Sequence, residues 1–493
     1  MNFIIPDHKA ILKAFTEGED AVVALFGEVT AQVEKLAAQL EKQTGMLKDL
    51  QARLSKNSRN SGKPPSSDGY NKPNKPKKTN SLRKSGQNPN GGQPGHQGHT
   101  LERSETPDHT ETHKPAECTN CRTSLDDVVA VGEEERQVYD IPAIRIEVTS
   151  HRAEIKICPG CGTENRGAFP ENVERGVRYG TGIKTWAAYF GNQHHIPLER
   201  TAQIFEDLTG HRISEGTLLK ASEELSECVR PSTEAIAELL RNAEVLNVDE
   251  TGLRVKGKLH WLHIASSGLL THYNVHEKRG KEAMDAAGIL SEFTGTMLHD
   301  HWASYFGYTN CRHGLCNSHH LRELKFIEEQ YGQAWSGDMA DLLLEIKAEV
   351  EKLKPDRDGF EPEQIRVFER RYDEIINRGL ADNPFTPPKE KKRGRVKKTP
   401  PLNLLTRLRD YRAETLAFMY DFRVPFDNNA AERDGRMMKV KQKVSGCFRT
   451  FEGAERFARI RGYISTARKN SKNIFEAIRD AFCGAPFIPN AAA

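Results

Sequence analysis

The sequence predicts a multidomain chain, with a mixed α/β core set among largely helical parts. Three observations predict it. Short apolar runs at Val245–Val248, His260–Ala265 and Thr271–Val275, then a further strand ending at His299, read as the start of an α/β layer. Residues 180 to 240 and Leu321 to Tyr420 carry helical periodicity instead. Four of nine cysteines form two C-x-x-C pairs, a pattern that reads as metal in a reducing compartment and not as a disulfide framework.

Length and charge set the bounds. At 493 residues the chain can hold several domains, and 72 Lys+Arg against 69 Asp+Glu do not by themselves announce a polyanion partner. Nothing resembles a signal peptide and no run is long and apolar enough to span a bilayer, so a cytoplasmic protein with no membrane partner is expected.

In residues 1–54, Phe26, Val29, Val33, Leu36, Leu40, Leu47, Leu50 and Leu54 alternate three and four apart, with Gln43 the one polar seam position. That heptad pattern favours a coiled coil joining copies into a homodimer or higher oligomer over an amphipathic helix packed on its own domain. Residues 55–104 follow as a basic linker, with nine Lys/Arg against the single acid Asp68 between Ser55 and Thr100. Too little of it is apolar to fold alone, so disorder is expected, as either a solvated tether or a phosphate-binding one.

Residues 105–175 hold Cys118-Thr-Asn-Cys121 and Cys158-Pro-Gly-Cys161. Each pair spaces two thiolates as tetrahedral zinc requires, and four sulfurs make a closed, structural site. Strand-like runs Arg136–Tyr139 and Ile144–Thr149 are expected to bring the pairs together as a ribbon. In residues 180–240, Leu198–Leu208 reads as a helix stopped by Thr209-Gly210, and Ser214 as the cap of a second helix. The pair fits a helix-turn-helix with Glu215, Thr217 and Lys220 as DNA contacts, and equally an ordinary helical hairpin.

Residues 241–450 carry the acidic constellation. Asp249 ends the run VLNVD before a turn glycine, Gly252, and Asp300 ends TMLHD. Carboxylates at neighbouring strand ends converge, which two-metal phosphoryl chemistry needs. Glu432 supplies a third from the helix after Asp427-Asn-Asn, which continues through Arg433, Arg436, Lys439, Lys441 and Lys443. The 132 residues between Asp300 and Glu432 imply a helical insertion, at about 325–420, and a helical segment closes the chain at 451–493. His299 and His301 are read as packing or DNA contacts. Cys316-Asn-Ser-His319 offers a second metal pair or, the preferred reading, a helix capped by Asn317 or Ser318 behind a strand-borne Cys316.

The runs VDETG, HDHWASYFGY, LCNSHHLRELK and FDNNAAERDGRMMKVKQKVSGCFRT resemble transposases of the insertion-sequence-66 family. The linker LSKNSRNSGKPPSSDG, the paired cysteines and the closing FARIRGYISTARKN resemble it in the same order, so the likeness covers most of the chain. It implies a ribonuclease-H-like core with an Asp-Asp-Glu triad on Asp249, Asp300 and Glu432, holding two Mg²⁺ or Mn²⁺ ions. Asn428 and Arg433 are expected either to support the carboxylates from behind or to contact DNA, and Arg436, Lys439 and Lys441 to bind DNA. Implied partners are element ends, target DNA and accessory proteins of the same element. Two other readings stand beside it: a structure-selective nuclease or resolvase on the same core, and a non-enzymatic zinc-containing DNA-binding regulator.

Overall fold

A computed structural model describes residues 6–57, 60–61, 100–170, 173, 176–385 and 398–490. The basic linker expected to be disordered lies mostly outside them. Contacts divide the chain into two units, one of residues 1–82 with 224–493 and one of residues 83–223.

The first unit opens with α1 (His8–Glu17), whose N-terminus is capped by Asp7 accepting from the Ala10 amide at 2.8 Å. It continues in α2 (Glu19–Leu54), one 36-residue helix. Phe26, Val33, Leu36, Leu40, Leu47, Leu50 and Leu54 remain exposed along it, whereas Ala52 near its end is buried among the insert helices introduced below.

In the second unit, β1 (Ile155–Ile157) and β2 (Glu164–Arg166) pair antiparallel around the second cysteine turn. Arg136–Tyr139 and Ile144–Thr149, expected as strands, are irregular. The reason is physical: Val138, Ile141, Ile144 and Val148 are exposed, and strand propensity without a partner strand or a face to bury does not hold a ladder. After them come α3 (Thr181–Ala188), a π-helical turn (Tyr189–Gln193), α4 (Leu198–Thr209) and α5 (Glu215–Cys228). Phe205, Ile213, Leu218 and Ala221 share a small core with Ala187 and Ala202. Gly210 ends α4 in the left-handed region at φ 69°, where glycine costs least, and Ser214 Oγ accepts the Thr217 amide at 3.2 Å.

Back in the first unit, α6 (Arg230–Arg241) leads into β3 (Val245–Val255), β4 (Lys258–Ser266), β5 (Thr271–His276), α7 (Lys281–Asp285), β6 (Thr296–His299) and β7 (Arg312–Leu315). The sheet order is β5-β4-β3-β6-β7. β3, β4 and β5 run antiparallel, and β6 and β7 run parallel to β3. Lys256 and Gly257, both at positive φ, close the β3–β4 hairpin in two residues, the turn whose twist suits flanking strands.

Among the described residues, β7 is followed by α8 (Asn317–Tyr331), α9 (Ala334–Leu353), α10 (Pro362–Asp382), α11 (Pro400–Asp410), α12 (Arg412–Thr415) and α13 (Ala417–Tyr420). α8, α9, α10 and α11 share a core around Trp335, Tyr372, Leu405 and Phe422. The chain then returns to the sheet with α14 (Asn429–Ser445) and α15 (Phe451–Lys469), and ends in α16 (Ile474–Phe482).

Strand alternation sorts the sheet's two faces. Leu246, Val248 and Ala265 pack with Ile236 and Leu240 of α6 and Met284 of α7. Leu253, Val255, Leu262 and Ile264 face the other way, against Ala431 and Met438 of α14 and Phe457 of α15.

Candidate active site

Asp249 shares the odd-numbered face of β3 with Leu253 and Val255, so its side chain lies under α14. The register of β6 on β3 is fixed at its start. A Cβ on Gly295 would stand 2.5 Å from the carbonyl oxygens of Ala243 and Glu244, so glycine alone lets the Thr296 amide reach Glu244 O at 2.8 Å. From there Val245 pairs with Thr296 and Asn247 with Leu298. Asp249 and Asp300 each lie two residues beyond the last of these pairs, Asp249 still within β3 and Asp300 just past the end of β6.

Asp249 is not at a strand end. The expected turn at Gly252 is replaced by three more residues of β3, because β4 continues to pair with it through Val255. What ends near Asp249 is the parallel neighbour: β6 stops at His299, and Asp300 bends away with its Oδ1 accepting the Trp302 amide at 3.0 Å. A gap at the sheet's middle thus receives both carboxylates.

Glu432 arrives from above, in the first turn of α14. Asn428, at the start of that helix, is buried and leaves its capping role to bind the sheet. Its Nδ2 donates to Val248 O at 2.7 Å, its Oδ1 accepts from Asn247 Nδ2 at 2.9 Å, and its amide meets Cys316 Sγ at 3.2 Å. Of its two expected places, Asn428 therefore takes the one behind the carboxylates, fixing α14 beside Asp249, and not the one at DNA. One turn past Glu432, a Cβ on Gly435 would stand 3.9 Å from Asp249 Oδ2.

Electrostatics register the convergence. The Asp249 carboxyl is pushed up to about 8, first by burial, then by the charges of Glu250 and Asp300, with Glu432 adding to them. Carboxylates crowded in this way favour a proton or a cation among them. His319 and Arg322 of α8 approach Glu432 Oε1 at 4.0 and 3.9 Å, and Arg436 approaches its Oε2 at 3.8 Å. Among the described residues Asp249, Asp300 and Glu432 do not bring one oxygen each within 4.8 Å of one another, so the donors are of the hard oxygen type a divalent cation takes but are not closed around one.

Glu250, adjacent in sequence, points to the opposite face. Its side chain is only 2% exposed, takes a hydrogen bond from Tyr305 Oη at 2.6 Å and pairs with Arg279. Arg279 is held over the rings of both Trp261 and Trp302, at 4.8 and 4.3 Å. Sequence reading missed this group, although strand alternation after Asp249 signals that Glu250 faces away.

The basic residues of α14 divide. Arg433 and Arg436 are exposed. Lys439 is exposed too, but its Nζ donates to Gly252 O at 2.6 Å. Lys441 corrects the expectation: it is buried, donates to Gly446 O at 3.0 Å and lies 3.7 Å over the Phe448 ring, with burial holding its amine down at about 8. In the second unit Lys220 is exposed, whereas Thr217 is half-buried and bonded to Ser214 Oγ at 2.9 Å, a helix-start role.

His299 is fully buried against Tyr305, Phe306 and His313. His301 adopts φ 75° and packs against Tyr411, so both histidines serve packing. Cys316 is not on a strand, and neither Asn317 nor Ser318 caps α8: Cys316 itself occupies the extended position before Asn317, with no side-chain cap. Burial pushes its thiol up to about 12.

The cysteine pairs form two matching knuckles. The Cys118 and Cys158 amides donate to Thr123 O and Thr163 O, both at 2.9 Å, and Cys121 Sγ and Cys161 Sγ each lie 3.2 Å from the hydroxyl two residues on. Those hydrogen bonds hold the Cys121 thiol down at about 7 and lower Cys161 as well. Each knuckle is shaped to present two thiolates to a metal. The structure does not gather three of the four sulfurs within 4.8 Å, so the expected ribbon closure is not drawn.

Among the described residues no helix is long and apolar enough to cross a membrane. Residues 176–456, more than half of the chain, match the family described as Transposase IS66 family. Residues 115–162 match the zinc-finger binding domain of transposase IS66, which supports structural zinc at the knuckles, and residues 19–102 match a family of unknown function. No curated protein matches the chain.

Proposed function

Because this chain belongs to the IS66 transposase family, we propose that it is a DNA transposase of the Asp-Asp-Glu type, with Asp249, Asp300 and Glu432 as the catalytic carboxylates. The single observation that carries this reading is that the charges of Asp300, just past the end of β6, and of Glu432, in the first turn of α14, both act on the carboxyl of Asp249 in β3. A sheet of order β5-β4-β3-β6-β7, with three antiparallel strands and two parallel to the first, supports a ribonuclease-H-like core.

The three carboxylates would hold Mg²⁺ or Mn²⁺. Such a pair, when bound, stabilises attacking and leaving oxygens and lowers the pKa of a coordinated water. The protein's own part is placement. Asn428 keeps α14 on the sheet, the backbone after Asp300 orients its carboxylate, and the exposed Arg433 and Arg436 offer charge to the strand being cut.

Two displacements follow. In the first, water oxygen attacks phosphorus at an element end and the P–O3′ bond breaks, leaving a 3′-hydroxyl and a 5′-phosphate. In the second, that hydroxyl attacks a target phosphodiester, and one P–O bond forms as another breaks. Because bonds exchange one for one, the second step needs no nucleotide hydrolysis and no covalent protein intermediate. Around this core, the α4–α5 pair and the zinc-finger region would read element ends. The exposed apolar stripe of α2 would join copies in a coiled coil, so that two ends are handled together.

The test is strand transfer by the full chain, using pre-cut element ends, a supercoiled target and Mg²⁺. Joined product is expected, lost in Asp249→Asn, Asp300→Asn and Glu432→Gln. Cleavage without joining would identify a nuclease instead, and activity surviving all three substitutions would refute the assignment.

A further inference from the structure

Glu432 has a second set of neighbours that the carboxylate chemistry does not use. Cys316 stands immediately before α8 and His319 one turn into it, and both meet the first turn of α14. One ligand atom from each of Cys316, His319 and Glu432 lies within 4.8 Å of the others. His319 Nδ1 and Glu432 Oε1 are shielded from solvent and, among the described residues, have no hydrogen-bond partner. Two shielded, unsatisfied polar atoms facing each other at 4.0 Å are costly unless a further group joins them.

The donor set says which group. A thiol, an imidazole and one carboxylate suit zinc, while magnesium takes oxygen donors and keeps its waters. Two helix N-termini meet here and favour the negative thiolate and carboxylate that zinc binding requires. Zinc with three protein ligands draws them to about 3.3–3.8 Å of one another, a contraction of roughly 1 Å that rotation of His319 and Glu432 can supply.

We propose that Cys316, His319 and Glu432 form a second zinc site, open at its fourth position, at which zinc takes Glu432 away from the magnesium-binding carboxylates. The binding stands on these residues alone; the competition rests on the reading of Glu432 as a catalytic residue. Zinc would then switch off the reaction while leaving DNA binding intact.

The experiment is a metal count on the full chain, loaded with zinc and dialysed against excess Mg²⁺, without DNA. The wild type is expected to hold one zinc equivalent more than Cys316→Ser or His319→Gln, and Asp249→Asn is expected to hold as much as the wild type. Because Cys316 is buried and its variant could misfold, the partly exposed His319 supplies the decisive variant. Cobalt gives a second readout: the wild-type spectrum minus that of His319→Gln should leave one tetrahedral centre with a thiolate ligand. Equal zinc in all variants overturns the proposal, as does loss of the extra equivalent in Asp249→Asn. A chain that holds the extra equivalent when zinc-loaded, yet never joins DNA after that zinc is removed and Mg²⁺ supplied, would refute the transposase chemistry and leave the zinc site standing.

Discussion

Gly435 and Asp249 are in near contact across the interface of α14 and β3: a methyl on residue 435 would stand 3.9 Å from Asp249 Oδ2 and 2.9 Å from Ile264 Cδ1. Glycine inside a helix costs about 1 kcal/mol relative to alanine, so its presence here marks close approach. Gly435→Ala gains that propensity but must displace the flexible end of Ile264, so its melting temperature is expected within a few degrees of wild type. Gly435→Leu has no such escape and should lift α14, and Glu432 with it. The expected result is a severe loss of strand transfer in the leucine variant with DNA binding retained, read by gel-shift and joining assays on the same preparations.

Asp249 ties stability to pH, and metal binding as well if it holds the proposed cations. Its carboxyl is raised from the ordinary 3.8 to about 8 in the folded chain, so between those values the folded state holds a proton that the unfolded state has released. Stability from this group is therefore present in full below about pH 4 and is lost as pH rises through about 8. Without divalent cations, Asp249→Asn should melt above wild type at pH 8 and close to it at pH 4. A cation must displace the same proton, so Mg²⁺ affinity should rise with pH up to about 8 and then level off. Titration of metal binding at pH 6, 7 and 8.5 checks this, and a flat profile would contradict the protonated state.

Asn428 couples the helix to the sheet through two side-chain hydrogen bonds, to Val248 O and Asn247 Nδ2, while its backbone amide meets Cys316 Sγ. Asn428→Ala leaves the buried Asn247 amide and Val248 carbonyl unpaired, a loss of about 2–3 kcal/mol. Activity should fall further than stability, because the same bonds place Glu432. Denaturant melts beside strand-transfer rates separate the two effects, and full activity in a destabilised variant would remove the positioning role.

How much of this was legible beforehand follows from particular residues. The strands, the hairpin helices and the closing helices declare themselves through periodicity and caps, as at Gly210 and Ser214. The 51-residue offset that sets Asp249 and Asp300 each two residues past the shared register is equally present in the sequence, once β6 is read as the parallel neighbour of β3. Lys441 is not legible in the sequence, because a lysine in a basic run looks solvent-facing and only tertiary packing reveals that it covers Phe448; Asn428 leaves two roles open, and packing selects the bond to the sheet. Arg136–Tyr139 and Ile144–Thr149 mislead for the opposite reason, since β-branched residues signal a strand only where a neighbour exists.

The division of the basic face gives the last prediction. Arg433 and Arg436 are exposed on α14 beside the carboxylates, while Lys441 is buried against Phe448. If the arginines contact phosphates, each alanine substitution should reduce the slope of log affinity against log salt by about 0.9, whatever the DNA sequence. Lys441→Ala should leave that slope unchanged and lower the melting temperature, because it removes a packed cation and the hydrogen bond to Gly446. Lys439 should fall between the two, since its amine is already shared with the Gly252 carbonyl. Salt titrations of duplex binding, run beside thermal melts, give both quantities for each variant. Equal slopes for wild type and Arg436→Ala would move the DNA path off this face of α14.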